Sequence, residues 1–365
     1  FSSVNDFSFN INKNFKYNDL DIKSKINLGQ LILKNNFINL KPYLPDSSEI
    51  LNFENQKIVI NYNKDNLEIK GNGNFLIKNK FDSINYKIIK NYSKFTFEIK
   101  TIIKNSKLLI DFLDYEKKEN SNAIILIKGK IKKNNKIRFD LISLVEKENR
   151  ILFENLNFNK DFKIINMDGF NFNYINNNKI KNKLSMKKDD SNYIIKGEIF
   201  DATKLINKMM DSKHDESSLF DNFNSKININ INKAYIDEVH FVNNLFGTLS
   251  FRNNKIDDLN LKSIFSNNKA IGFSIKTNDK QEKITKLYTD YPKPLIKRYD
   301  FIKGFEEGYL DYYSIKKSGT SNSVLIIDNF KVKEVPIFAK LLSLASLQGI
   351  ADLLTGEGIR FSDFE

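Results

Sequence analysis

Apolar and polar residues alternate with a period of two along most of this chain. Leu20, Ile22, Ser24, Ile26 and Leu28 fall on one side of a segment whose other side carries Asp21, Lys23, Lys25 and Asn27. Phe95, Phe97, Ile99, Thr101 and Ile103 repeat the pattern against Thr96, Glu98 and Lys100, and Ile227, Ile229 and Ile231 alternate with Asn228, Asn230 and Asn232. Period two is the mark of a strand with one dry and one wet face. About twenty such runs follow one another, many of them separated by polar turns such as Lys132–Asn135 and Asn176–Asn178. Connections this short join antiparallel neighbours, so the pattern predicts a long antiparallel meander.

Proline placement agrees with a sheet. All five prolines (Pro42, Pro45, Pro292, Pro294 and Pro336) lie outside residues 46–291, and a central strand cannot spare the N–H that proline lacks. Helical spacing is confined to three islands. Asp201 to Met210, with Ala202, Leu205, Ile206 and Met209, predicts a short amphipathic helix, and so does Pro294 to Phe305. Pro336 to Leu354 is the strongest. Phe338, Leu341, Leu342 and Ala345 recur at helical intervals behind a first-turn proline, and Gly349 interrupts the pattern before Ile350, Leu353 and Leu354. That stretch predicts a helical hairpin. The expected divisions are 1–200 and 201–335 as sheet segments, with 336–365 as the hairpin and the start of another strand.

Such a sheet poses a physical problem, because three short helical islands cannot cover its apolar face. It must close into a barrel, pair into a sandwich or curl around something else apolar. Composition narrows the chemistry. Hydrophobic residues make up 41% of the chain, enough for a large apolar surface despite 28% charged residues. The net charge of +13 is spread along the sequence among Asp, Glu and Asn, which speaks against nucleic acid as the partner and leaves a mild attraction to anionic headgroups. There is no Cys, hence no disulfide framework. His214 and His240 are far apart, and no spacing suggests a metal site. The acidic doublets Asp189-Asp190, Asp257-Asp258 and Glu306-Glu307 read as solvated turns, and Gly71-Asn72-Gly73 as a bulge or turn. No catalytic arrangement and no cofactor site is expected. The chain starts at Phe1 and is read as an excerpt of a longer protein.

The run from Val324 to Ile350, with Leu341-Leu342-Ser343-Leu344-Ala345-Ser346 at its centre, followed by Gly356-Glu357-Gly358-Ile359-Arg360-Phe361, resembles the signature of AsmA-like proteins of the YhdP type. In that signature a strand leads into a proline-led helix and a Gly-x-Gly-Ile-x-Phe turn. Gly197-Glu198-Ile199-Phe200-Asp201 is similar to the family's strand end before a short helix. Leu295 to Gly308 is similar to its helix and Gly-Gly strand start, with Glu307 in place of the first glycine. The resemblance implies a mainly β fold: a long curled antiparallel sheet forming a taco-like groove, with a few short amphipathic helices and a C-terminal helical hairpin. It also implies a periplasmic protein, anchored in the inner membrane outside this excerpt, that shields phospholipid on its way to the outer membrane. The family implies no cofactor and no catalytic residue.

A lipid conduit needs a continuous apolar surface and no reactive group. Each methylene withdrawn from water gains about 0.8 kcal/mol, so a sixteen-carbon chain is worth upwards of ~10 kcal/mol. Ile22, Ile26, Phe97, Ile99, Ile227, Ile229 and Ile231 are the expected groove floor. Phe338, Leu341, Leu342, Leu344, Leu347, Ile350, Leu353 and Leu354 are the expected gate or membrane contact of the hairpin. The rival is a structural outer-membrane barrel or surface β-protein that carries no lipid.

Overall fold

The computed structural model describes residues 1–34, 40–48, 50–64, 66–77, 80–131, 137–159, 163–211, 222–299, 303–317, 320–333 and 359–364. The protein is mainly β: among the described residues 73% lie in strands and 4% in helices. Two compact units divide it. One comprises Phe1–Lys188 and Thr203–Phe223, the other Asp189–Ala202 and Asn224–Glu365.

The first unit opens with β1 (Ser2–Ile11), β2 (Tyr17–Lys34), β3 (Ile50–Asn63), β4 (Asn66–Ile77), β5 (Lys80–Asn91) and β6 (Lys94–Ile103). These are paired in sequence order, every pair antiparallel. A small ribbon follows, β7 (Leu108–Ile110) and β8 (Tyr115–Lys117), joined through a 3-10 turn at Asp111–Leu113. The meander resumes with β9 (Ala123–Ile131), which pairs with β6, and continues through β10 (Ile137–Glu146) and β11 (Asn149–Phe158). β12 (Ile164–Asn166) and β13 (Gly169–Ile175) both lie along β11, and β14 (Lys181–Asp189) pairs with β13. Helix α1 (Thr203–Asp211) belongs to this unit and lies against the Asp111–Leu113 turn.

The second unit begins with β15 (Asn192–Asp201) and β16 (Ser225–Tyr235), which run parallel. An all-antiparallel meander is corrected here: the sheet is mixed. The connection from Ala202 to Asn224 is long enough to carry the chain back to the starting margin, which a tight turn cannot do. From there β17 (Phe241–Arg252), β18 (Lys255–Phe265), β19 (Ala270–Thr277) and β20 (Lys283–Thr289) alternate antiparallel. Helix α2 (Lys293–Tyr299) precedes β21 (Phe305–Lys317), β22 (Thr320–Val332) and β23 (Ile359–Phe364). Pro292 stands just before α2, its carbonyl accepting the N–H groups of Leu295 (2.9 Å) and Ile296 (3.0 Å). Among the described residues no pairing returns β14 to β1 or β23 to β15, and the sheet is not closed.

Residues 336–354 lie outside the described residues, and with them Phe338, Leu341, Leu342, Leu344, Leu347, Ile350, Leu353 and Leu354. His214 does too. Three local readings are corrected. Gly71 and Gly73 sit within β4, and the bulge is on the facing β3, where the register slips between Glu54 and Lys57. Asp257-Asp258 and Glu306-Glu307 lie inside β18 and β21 instead of in turns. Asp257 pairs with Arg252 (3.0 Å), Glu307 with Lys331 (3.1 Å), and Glu306 with Lys333 just past β22 (3.0 Å) and Lys293 of α2 (3.4 Å).

Candidate functional site: one apolar face in each unit

Residues directly opposite in a ladder share a face, so the register decides whether the alternating segments build one surface. In the first unit they do. Ile26 faces Ile58, which faces Gly71, then Tyr86 and Ile99. The row continues through Ile127, Ile142, Phe153 and Phe170. One step along, Ile60, Ile69, Ile88, Phe97, Gly129 and Phe139 form a second row. Ile22 begins a third, with Tyr62 and Leu67. Ile22, Ile26, Phe97 and Ile99 therefore lie on one face, as four points of a continuous apolar surface.

The opposite face carries ion pairs, with Val59, Ile89, Leu126 and Leu152 among them. Glu68 accepts ion pairs from Lys70 and Lys87, both at 3.0 Å, Lys128 meets Glu98 at 3.2 Å, and Asp140 takes Lys130 (3.2 Å) and Arg138 (2.8 Å). Lys87, then Lys70, hold the Glu68 carboxyl down at about 2.

Ring-over-glycine packing keeps the apolar rows level. The Tyr86 ring occupies the space that a Cβ on Gly71 would take, and the Phe97 ring does so at Gly129. Edge-to-face contacts link Phe97 to Phe139 (5.8 Å) and Phe139 to Phe158 (5.5 Å), and Phe170 stacks on Phe172 at 4.2 Å.

One margin of this face is covered by residues 104–122. Tyr115 is 2% exposed and meets Tyr174 edge to face at 6.0 Å. Its hydroxyl donates to Glu146 at 2.6 Å, while the Tyr174 hydroxyl donates to the Leu113 carbonyl at 3.0 Å. Burial, reinforced by the Glu146 charge, pushes the Tyr115 hydroxyl up. For Glu146, burial acts upward, but hydrogen bonds from Ser121, Tyr115 and Asn149 outweigh it and the carboxyl ends below its usual value. Lys117 is fully buried and donates to the carbonyls of Lys104 (2.9 Å) and Ser106 (2.6 Å); burial lowers its ammonium against the opposing pull of Asp82 and Glu146. Asp82 fastens the segment's start by accepting the N–H groups of Lys104 and Asn105 and the Ser106 hydroxyl.

Beside this cover Leu144, Ile151, Phe172 and Leu184 are buried. One row further out, Ile26, Ile58, Tyr86, Ile99, Ile127, Ile142, Phe153 and Phe170 remain half-exposed. Sequence reasoning named the alternating strands and missed the cover. Its one signal was the break in alternation between Ile103 and Ala123.

The second unit builds its own face. Ile195, Ile229, Gly247, Leu261, Phe273, Leu287, Tyr312 and Leu325 form one row. Ile227, Leu249, Leu259 and Ile275 form the next, which ends in Thr285, Ser314 and Ser323. Ile227, Ile229 and Ile231 share this face; Ile227 and Ile231 are buried and Ile229 is half-exposed. Helix α2 covers one margin, with Ile296 packed among Phe305, Leu310, Ile327, Phe330 and Val332.

Polar chemistry is local. Asp237 accepts the N–H groups of Val239 (2.8 Å) and His240 (2.6 Å) and pairs with the His240 ring at 2.8 Å, closing the turn after β16. Burial would raise that carboxyl, but these donors bring it below its usual value. Among the described residues no group of three or more His, Asp and Glu could hold a metal ion, and no helix is long and apolar enough to cross a membrane. Comparison with protein-family models, curated proteins and solved structures finds no match to this chain.

Proposed function

We propose that the protein is a lipid-bearing groove of the AsmA-like kind, which shields phospholipid in the periplasm between the inner and outer membranes and catalyses no reaction. One observation carries this reading: apolar rows kept in register across strand after strand, with their side chains half-exposed. Apolar surface left to water forgoes about 25 cal/mol per Å², and contiguous patches of this kind mark places where something apolar binds. Curling of the sheet would bring the rows around an acyl chain. The evenness of the surface suits passage, because similar Ile, Leu and Phe positions recur from strand to strand. The paired charges of the opposite face suit water.

A photo-crosslinking residue at Ile229 and, separately, at the adjacent Asn230 tests the reading in cells. Lipid adducts are expected at Ile229 and absent at Asn230, since neighbours in a strand point to opposite faces. Adducts at both positions, or at neither, reject the groove. Unboiled electrophoresis separates the rival, as an outer-membrane barrel shifts its mobility on heating.

A further inference from the structure

We infer that one margin of the first unit, carrying the turns β1/β2 and β5/β6, docks on an anionic bilayer surface. The antiparallel pairings place these two turns along the same margin, opposite the one covered by residues 104–122. They are four strands, or about 20 Å, apart.

Two aromatic side chains stand at the tips, Phe15 at 92% and Tyr92 at 73% exposed. Both have positive φ, 56° and 51°, a conformation that costs a bulky residue free energy and that Asn or Gly adopts more cheaply. Folding recovers nothing from rings held in water at such positions. A bilayer interface recovers it, because aromatic rings settle at headgroup level.

Charge points the same way. Lys13, Lys16, Lys90 and Lys94 are exposed, and among the described residues none has a carboxylate partner, whereas Lys64 is held by Asp19 at 3.0 Å. At the opposite margin Lys107 pairs with Glu116 (3.0 Å) and Lys117 is buried, while Lys118, Lys147 and Lys179 are exposed. Lys90 also belongs to the outermost apolar row, between Leu67 and Phe95, with its ammonium 5.7 Å from the Phe95 ring. A lipid leaving the bilayer at this margin would pass a cation and then meet the apolar rows. That consequence rests on the proposed function; the docking itself is measured separately.

The test is flotation of the purified full chain with phosphatidylcholine vesicles, with and without phosphatidylglycerol. Each lysine near an anionic surface raises affinity about fivefold. The triple variant Lys13→Glu/Lys16→Glu/Lys94→Glu is therefore expected to lose about a hundredfold or more on phosphatidylglycerol vesicles. Phe15→Asn/Tyr92→Asn, which relaxes the backbone and so spares folding, is expected to lose about tenfold. Lys118→Glu/Lys147→Glu/Lys179→Glu makes the same charge change at the other margin and is expected to bind as wild type. Equal binding to both vesicle types, or equal losses in the two lysine triples, overturns the inference while leaving crosslinking at Ile229 as evidence for the groove. Intact vesicle binding without crosslinking at Ile229 rejects the groove and supports the docking margin.

Discussion

At Gly129 a methyl group would lie 2.5 Å from the Arg138 carbonyl oxygen and 2.6 Å from the Phe97 ring; at Gly71 it would meet only the far end of the Tyr86 ring. Backbone cannot yield as a side chain can. Gly129→Ala is therefore expected to destabilise the protein by ~1–3 kcal/mol and Gly71→Ala by less, as read from urea unfolding midpoints. Glu68 carries a pH prediction. Its carboxyl lies at about 2 in the folded protein, held down by Lys87 and then Lys70. A depressed folded value stabilises fully above the unfolded carboxylate range and loses that contribution as pH falls from about 4.5 towards 2. Wild type should thus lose stability more steeply over that window than Glu68→Gln. The difference will be small, because the pairs face water.

At the scale of elements, the strands are regular except where a residue is inserted. Register slips occur near Asn55 on β3 and Asp140 on β10, and Asn155 on β11, like Asn55, has positive φ. Sequence alternation cannot reveal these bulges, because Asn and Asp there look like ordinary outward polar residues. The cover at 104–122 is held mainly by buried polar bonds and two tyrosines, which no periodicity encodes. Tyr115→Phe removes the hydroxyl that Glu146 accepts and leaves the ring contact with Tyr174. A hydrogen bond to a charged group is worth ~1.5–3 kcal/mol. The variant should therefore exchange its amide hydrogens faster in 104–122, with β2 and β3 unchanged, as hydrogen-exchange mass spectrometry would record.

At the scale of the molecule, the period-two pattern is enough to identify a mainly β protein and to put the named residues of each strand on one side of it. The register joins Ile22, Ile26, Phe97 and Ile99 into a face of the first unit and puts Ile227, Ile229 and Ile231 on a face of the second, where the sequence alone predicts a single groove floor. Alternation fixes sidedness, and short turns fix the neighbour. It carries no information about long connections, so the parallel step from β15 to β16 was not legible in it. That step has a consequence for the order of assembly. Every hairpin can zip as soon as its second strand leaves the ribosome, whereas the parallel β15–β16 ladder must wait for the stretch from Ala202 to Asn224 and then for β16. Closing the longer loop costs more entropy before any contact repays it. Until β16 is made, the edge of β15 that it will take stays open, and chaperones have their opening there.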